Sequence, residues 1–226
     1  MLTQTQLKEQ VAQAAVQYVL PFLNADTILG VGTGSTVDCF IDALIPHKSR
    51  FRGTVSSSER SSQRLEAAGI PVFDLNQVAT VPLYIDGADE VDHGFNMIKG
   101  GGGALTREKI VASIADQYLC IVDQSKRVER LGTFPVPIEV IPMARAVVSR
   151  RIAQLGGTAV LRADFVTDNG CEILDVAGMN LDDPPRMESL LNDIPGVVCC
   201  GVFAISGADI VLMSTQEGVQ RFDHGG

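Results

Sequence analysis

Short apolar runs alternate with helical patterns along the first half of this chain, and that alternation restricts the fold more than any other feature. Residues 27–31, 71–73, 83–85 and 118–122 read as buried strands. Between them, Leu7, Val11, Ala15 and Tyr18 fall at helical spacing, and Val37, Phe40, Ile41 and Leu44 recur at i, i+3, i+4 and i+7. Further helices are expected over 61–68 and after Glu108, where Ile110, Val111 and Ile114 repeat. Strands alternating with helices imply a parallel sheet joined by right-handed crossovers. Such sheets bind ligands beyond the carboxyl ends of their strands, so the loops that follow the strands are where chemistry is expected.

The richest of these loops lies in residues 83–109, LYIDGADEVDHGFNMIKGGGGALTREK. The strand breaks at Asp86-Gly87, a turn signal because glycine takes positive φ without steric cost. Asp86 and Asp89 then sit at a strand's carboxyl end, with Gly87 and Ala88 between them. Lys99 precedes four glycines, whose bare N–H groups suit the close approach of an anion. The helix expected from about residue 104 adds the positive end of its dipole, and Glu108 falls in its first turn. Lys99 is a mobile point charge able to reach a phosphate or an oxyanion. The blander readings are a turn, a solvated acidic face and a flexible connector, but that density of chemistry exceeds what a connector needs. Asp86, Asp89 and Asp92 lack the alternate-residue spacing of a calcium loop.

A second signal follows the first strand. Gly30, Gly32 and Gly34 spell GxGxG, with Ser35 where the dinucleotide fingerprint needs a third glycine, and no Lys-Ser/Thr follows as in a P-loop. What remains is a glycine turn presenting the Thr33, Ser35 and Thr36 hydroxyls at a helix start. It suits a phosphate or a sugar, unless Ser35 merely caps the helix. Lys8 on the first helix and Lys126 beyond the 118–122 strand are cations able to reach such a ligand, and residues 54–58 add hydroxyls.

Composition removes several classes. The net charge of −9 disfavours nucleic acid and anionic membrane as partners, so an anionic small molecule must be held by local groups. No apolar run approaches a membrane span, and residues 1–10 are polar without a signal-peptide pattern. Five cysteines with no CxxC pair fit reduced thiols in a cytoplasm or an organelle stroma. At 46% hydrophobic, the 226 residues can bury a sizeable core.

The rhythm changes near residue 132. Strands are expected over 138–141, 159–162 extended through Phe165 and Val166, 171–176 and 197–203. Helices are expected over 143–155 and from Asp183 onward, where Pro184 suits a first turn. This βαββαβ order is the split βαβ pattern of ferredoxin-like units. Residues 208–213 return to the first sheet, and the polar tail 220–226 is expected to fray. The fold is therefore α/β: a Rossmann-like parallel-sheet domain (1–131 with 204–226) and a smaller ferredoxin-like α+β domain (132–203) inserted near the C-terminal end.

Taken together, GVGTGSTV, SSS, DGADEVD, MIKGGGGALTREK, EVIPMAR, VTDNG and IPGVV resemble the ribose-5-phosphate isomerase A family, in order and along nearly the whole chain. Gly103, where an alanine is common, residues 21–26 and residues 92–96 depart from the pattern. The resemblance implies interconversion of ribose 5-phosphate and ribulose 5-phosphate, with Glu108 as general base. It implies substrate binding by Lys8, by Thr33, Gly34, Ser35 and Thr36, by Asp86, Gly87, Ala88 and Asp89, by Lys99, Gly100, Gly101 and Gly102, and by Lys126. Lys99 would stabilise the enediolate, and Asp86 and Asp89 would share ring opening and oxygen-to-oxygen proton transfer in an undetermined division. The reaction requires no metal and no redox cofactor, and the family leads one to expect a homodimer or homotetramer. Two rivals use related scaffolds. Sugar-phosphate sensor domains of transcription regulators bind without turnover, but this chain has no DNA-binding motif. Acyl-CoA transferases use a glutamate nucleophile, but no segment here suggests CoA recognition.

Overall fold

The computed structural model describes residues 1–225, which divide by their contacts into two compact units. The first comprises residues 1–87, 107–126 and 208–225; the second comprises 88–106 and 127–207.

In the first unit six strands form one sheet in the order Gly218–Asp223, Ile210–Thr215, Tyr118–Asp123, Tyr84–Asp86, Ile28–Val31, Gly53–Ser56. Every neighbouring pair is parallel except the first, which is antiparallel. From Ile28–Val31 the chain first builds outward to Gly53–Ser56, then crosses to the opposite side for Tyr84–Asp86. The strand order therefore reverses between Ile28–Val31 and Tyr84–Asp86, and this switch point is where doubly wound sheets bind ligands.

Period-two alternation sorts the side chains across that sheet. Leu29, Val31, Leu83, Ile85, Leu119 and Ile121 join one core with Val11, Ala15 and Val19 of the helix Gln4–Val19 and with Phe40, Ile41 and Leu44 of Ser35–Leu44. The first of these helices begins at a capping box, in which Thr3 accepts from the Gln6 N–H and the Gln6 side chain accepts from the Thr3 N–H. On the opposite face stand Gly30, Tyr84 and Asp86.

Two expectations for this unit are corrected. Residues 71–73 form only an isolated bridge, Thr54 to Val72, at the sheet edge. Residues 218–223 do not fray, because their backbone pairs along the whole length of Ile210–Thr215; Gly226 lies outside the described residues.

The second unit contains a four-stranded antiparallel sheet in the order Val197–Cys200, Val136–Val140, Glu172–Ala177, Thr158–Leu161. With the helices Arg145–Gln154 and Pro184–Asn192 it realises the expected βαββαβ pattern. Val140, Val148, Ile152, Leu174, Val176 and Leu191 are buried in its core. The Asp183 side chain accepts from the Arg186 N–H at 3.2 Å and so fixes the start of the second helix. Phe165 and Val166 lie outside the strand Thr158–Leu161. The run 197–203 is broken at Gly201, and Val202–Phe203 instead joins Met97–Ile98 and Glu90–Val91 in a three-stranded sheet. That pairing explains why residues 88–106, kept with the first domain in the sequence reading, group by contact with the second unit.

Candidate active site

Asp86 ends its strand at the switch point and is fully buried. Its Oδ1 accepts from the backbone N–H groups of Gly87 at 2.7 Å and Thr33 at 3.1 Å, and its Oδ2 accepts from the Tyr84 hydroxyl at 2.6 Å. The glycine turn makes room for this arrangement. Gly30 lies beside Tyr84 in the parallel register, and a Cβ there would approach the Tyr84 ring to 2.9 Å. A Cβ at Gly32 would overlap the Asp86 carboxylate itself. GxG on one strand and YxD on its neighbour are complementary patterns, two missing side chains against two large ones.

Glu108 is buried in the first turn of the helix Leu105–Ala112. One turn further along the same helical face, Val111 lies 3.1 Å from the position of a Cβ on Gly30. Glu108 is thereby brought to the Tyr84 side of the sheet. Burial pushes the Tyr84 phenol well above its ordinary pKa, and the negative charges of Asp86 and Glu108, then Tyr118 and the hydrogen bond to Asp86, push it further. The phenol therefore stays protonated and keeps its donor role at neutral pH. Two buried carboxylates thus stand on the Tyr84 side of the sheet, and only Asp86 is hydrogen-bonded to the phenol in the geometry given above.

The same strand ends carry a second group of polar and basic residues. Gly34, at φ +102°, is the N-cap of Ser35–Leu44, and no side chain caps that helix. The alternative that Ser35 merely caps the helix is set aside: Ser35 is the first helical residue, and its hydroxyl accepts from Lys8 Nζ at 2.9 Å. Thr33 Oγ1 accepts from the Ser58 hydroxyl at 3.0 Å, and Ser58 in turn caps the helix Glu59–Ala67. Lys126 ends the short helical turn after Tyr118–Asp123, at the same carboxyl edge of the sheet, and is partly buried.

In the second unit, Lys99 is buried, and its ammonium lies 5.5 Å from the centre of the Phe203 ring, a cation–π distance. The glycine loop beyond it is held rather than loose. Asp89 Oδ2 accepts from the Gly101 N–H at 2.7 Å. Arg162 donates to the carbonyls of Gly100 at 3.2 Å and Gly101 at 3.1 Å, while its Nε donates to Asp175 at 2.9 Å. A Cβ at Gly103 would run into the Phe165 ring, so here the residue that departs from the usual alanine fits its neighbour. Not all four glycine N–H groups are bare, since Gly103 donates to Gly100 and Gly101 to Asp89.

The acidic cluster separates by task. Glu90 accepts from the N–H groups of Gly132 and Phe134, and Asp92 closes the turn through Gly94 and Asn96. Both are structural. Three participants escaped the sequence reading: Tyr84, Arg162 and Glu139. Tyr84 was detectable, because it stands two residues before Asp86 and so shares its face. Arg162 meets its loop and Asp175 only through long-range folding. Buried Glu139 accepts from Thr106, Thr167 and Asn169, which anchors the first turn of the helix bearing Glu108.

A doubly wound sheet with buried carboxylates and a lysine-flanked helix start, lacking a side-chain cap, at its carboxyl edge defines an α/β class whose ligands sit at the switch point of the sheet. Within that class, the chain belongs to the ribose 5-phosphate isomerase A (phosphoriboisomerase A) family, whose model matches residues 53–218. It is 59% identical over its whole length, and over the whole of the relative, to ribose-5-phosphate isomerase A of Bordetella bronchiseptica. A crystal structure of ribose 5 phosphate isomerase A from Neisseria gonorrhoeae superposes with a TM-score of 0.95 at 44% identity, covering 100% of both chains. A D-ribose-5-phosphate isomerase solved in complex with phospho-erythronic acid superposes with a TM-score of 0.92 at 37% identity, covering 98% of this chain and 100% of that one.

Proposed function

We infer that this protein interconverts D-ribose 5-phosphate and D-ribulose 5-phosphate through a cis-enediolate, the aldose–ketose step of the non-oxidative pentose phosphate pathway. The observation that carries the residue assignment is the buried Asp86, bonded to Tyr84 at the switch point of the sheet, with Glu108 buried in the first turn of the helix Leu105–Ala112. Glu108 takes the proton from carbon 2 and returns it to carbon 1 on the same face. The first turn of a helix suits the carboxylate form that a base must start from. Asp86 and Asp89 move protons between the sugar oxygens and open the furanose ring, and Lys99 with the glycine-loop amides stabilises the enediolate oxygens. Phospho-erythronic acid, named with one relative's structure, ends in a planar carboxylate that resembles those two oxygens, which supports this reading. The test is direct: purified protein given ribose 5-phosphate should form ribulose 5-phosphate, and binding without turnover would favour a sensor instead.

The phosphate is assigned to Lys8, Lys126 and the turn Thr33, Gly34, Ser35 and Thr36. Charge-assisted hydrogen bonds contribute about 1.5–3 kcal/mol each, so Lys8→Ala and Lys126→Ala should each raise KM roughly tenfold or more with little change in kcat. An unchanged KM in both variants would remove these lysines from the phosphate site.

Proton transfer between adjacent carbons needs no Lewis acid when donors and a lysine receive the developing charge. Exhaustive chelation should therefore leave the rate intact. Activity lost on chelation and restored only by a divalent ion would overturn this part of the mechanism.

We further propose a cytoplasmic location, supported by five free cysteines and by the absence, among the described residues, of a helix long and apolar enough to cross a membrane. A homodimer or homotetramer is proposed from the family resemblance, and light scattering in solution decides between them.

A further inference from the structure

We propose that Tyr84 is a positioning residue for the isomerisation, its hydroxyl fixing the orientation in which the Asp86 carboxylate meets the sugar. This rests on the proposed role of Asp86. Three features of the geometry point the same way. The Tyr84 side chain is fully buried, and its ring lies over Gly30 and 5.0 Å from the Tyr118 ring, tilted by 50°. A fully buried ring packed against both neighbours has little room to swing, so its hydroxyl is delivered to one place. That place is Asp86 Oδ2 at 2.6 Å, a length typical of an O–H···O⁻ bond.

The remaining donors complete the clamp. Thr33 and Gly87 hold Oδ1 through rigid backbone N–H groups, but Oδ2 is oriented by Tyr84. Without the phenol, the carboxylate loses the donor that Tyr84 supplies to Oδ2 and with it part of what sets its angle about the Cβ–Cγ bond. Two groups that must hold an atom within about half an ångström of its working position commonly rely on such support. Titratable groups around the pair include Glu108 from the helix Leu105–Ala112 and, from the adjacent strand, Tyr118 and Cys120, which is the register partner of Asp86. Glu108 and Tyr118 both add to the raised pKa of the phenol, which keeps it protonated and able to donate to Asp86.

A bland alternative is that Tyr84 only fills space above Gly30. Tyr84→Phe separates the two, because it keeps the ring and removes one hydroxyl. A positioning role predicts a fall in kcat of roughly ten- to a hundredfold, the range for losing a hydrogen bond to a charged group, with KM for ribose 5-phosphate within about twofold of the parent. In an Asp86→Asn background the same substitution should change kcat by less than about twofold, since the carboxylate it serves is gone. An unchanged kcat in the single variant, or an equal loss in both backgrounds, overturns the proposal.

If Asp86→Asn alone turns over like the parent, the assigned role of Asp86 fails first and takes this inference with it. The two failures are thus distinguishable. Should Tyr84→Phe not fold, 3-fluorotyrosine at position 84 retains the shape and alters the donor strength. It should change kcat in the parent background and leave it unchanged with Asp86→Asn. A fluorotyrosine protein with parent kcat overturns the proposal as well.

Discussion

Glu108→Gln should bind ribose 5-phosphate nearly as well as the parent while losing at least about 10²–10⁴-fold in kcat, the range for removal of a general base. The substitution retains size and hydrogen-bonding capacity, and the first turn of the helix stays anchored through Thr106 to Glu139. Lys8, Lys126 and the turn Thr33 to Thr36, proposed to hold the phosphate, are untouched, so KM should move little. Isotope exchange gives a second, independent readout. In deuterated water the parent should place solvent deuterium at carbon 1 of ribulose 5-phosphate, to the extent that the Glu108 proton exchanges before it is returned. The variant should do so negligibly. Comparable turnover by Glu108→Gln would refute the assignment and shift suspicion to Asp86 or Asp89.

Gly32→Ala should be nearly as damaging, although it removes no functional group. Its new methyl would overlap the Asp86 carboxylate, which has no free direction to move in: Tyr84, Thr33 and Gly87 already fix both oxygens. Either the carboxylate shifts or the turn does. Displacing a reacting group by about 1 Å costs on the order of 10²-fold in rate, so kcat should fall by that factor. Overpacking of this kind typically costs about 1–3 kcal/mol of stability, an amount a stable domain survives, so the variant should be folded and slow. Gly34→Ala is the control: a Cβ there meets nothing within 4 Å, but φ is +102°. Its effect should therefore come from backbone strain near the phosphate cradle, and appear in KM. Parent-like kcat in Gly32→Ala would show that the tight fit against Asp86 is not required for catalysis.

These two substitutions lie on opposite sides of what one-dimensional reading can deliver. Glu108 stands out in the sequence because a carboxylate in a helix's first turn beside four glycines has few structural uses. Gly32 also stands out, but only as a turn former. Its actual constraint is the side chain across the strand boundary, 54 residues later in the chain. Periodicity determined the parallel sheet, its two covering helices and the βαββαβ unit, because burial on one face of an element writes itself into local spacing. Asp-Gly, the glycine turns and Pro184 determined where elements stop or start, because backbone dihedrals are local.

What tertiary structure alone decided is everything that depends on which distant residues share a neighbourhood. The run 197–203 reads as one strand, yet a backbone-close crossing at Gly201, where a Cβ would overlap the Lys99 carbonyl, divides it between two sheets. The polar tail from residue 220 has no apolar pattern, yet residues 218–223 are ordered by pairing with Ile210–Thr215, since backbone hydrogen bonds carry no sequence signature. Arg162 gripping the glycine loop and Glu139 gathering Thr106, Thr167 and Asn169 follow from the same cause. Chemistry could be read from the sequence wherever adjacent residues carry it, as in DGAD and KGGGG. Its orientation could not, because the donors that aim Asp86 and the glycine loop are brought together only when buried polar groups must find partners in the folded chain.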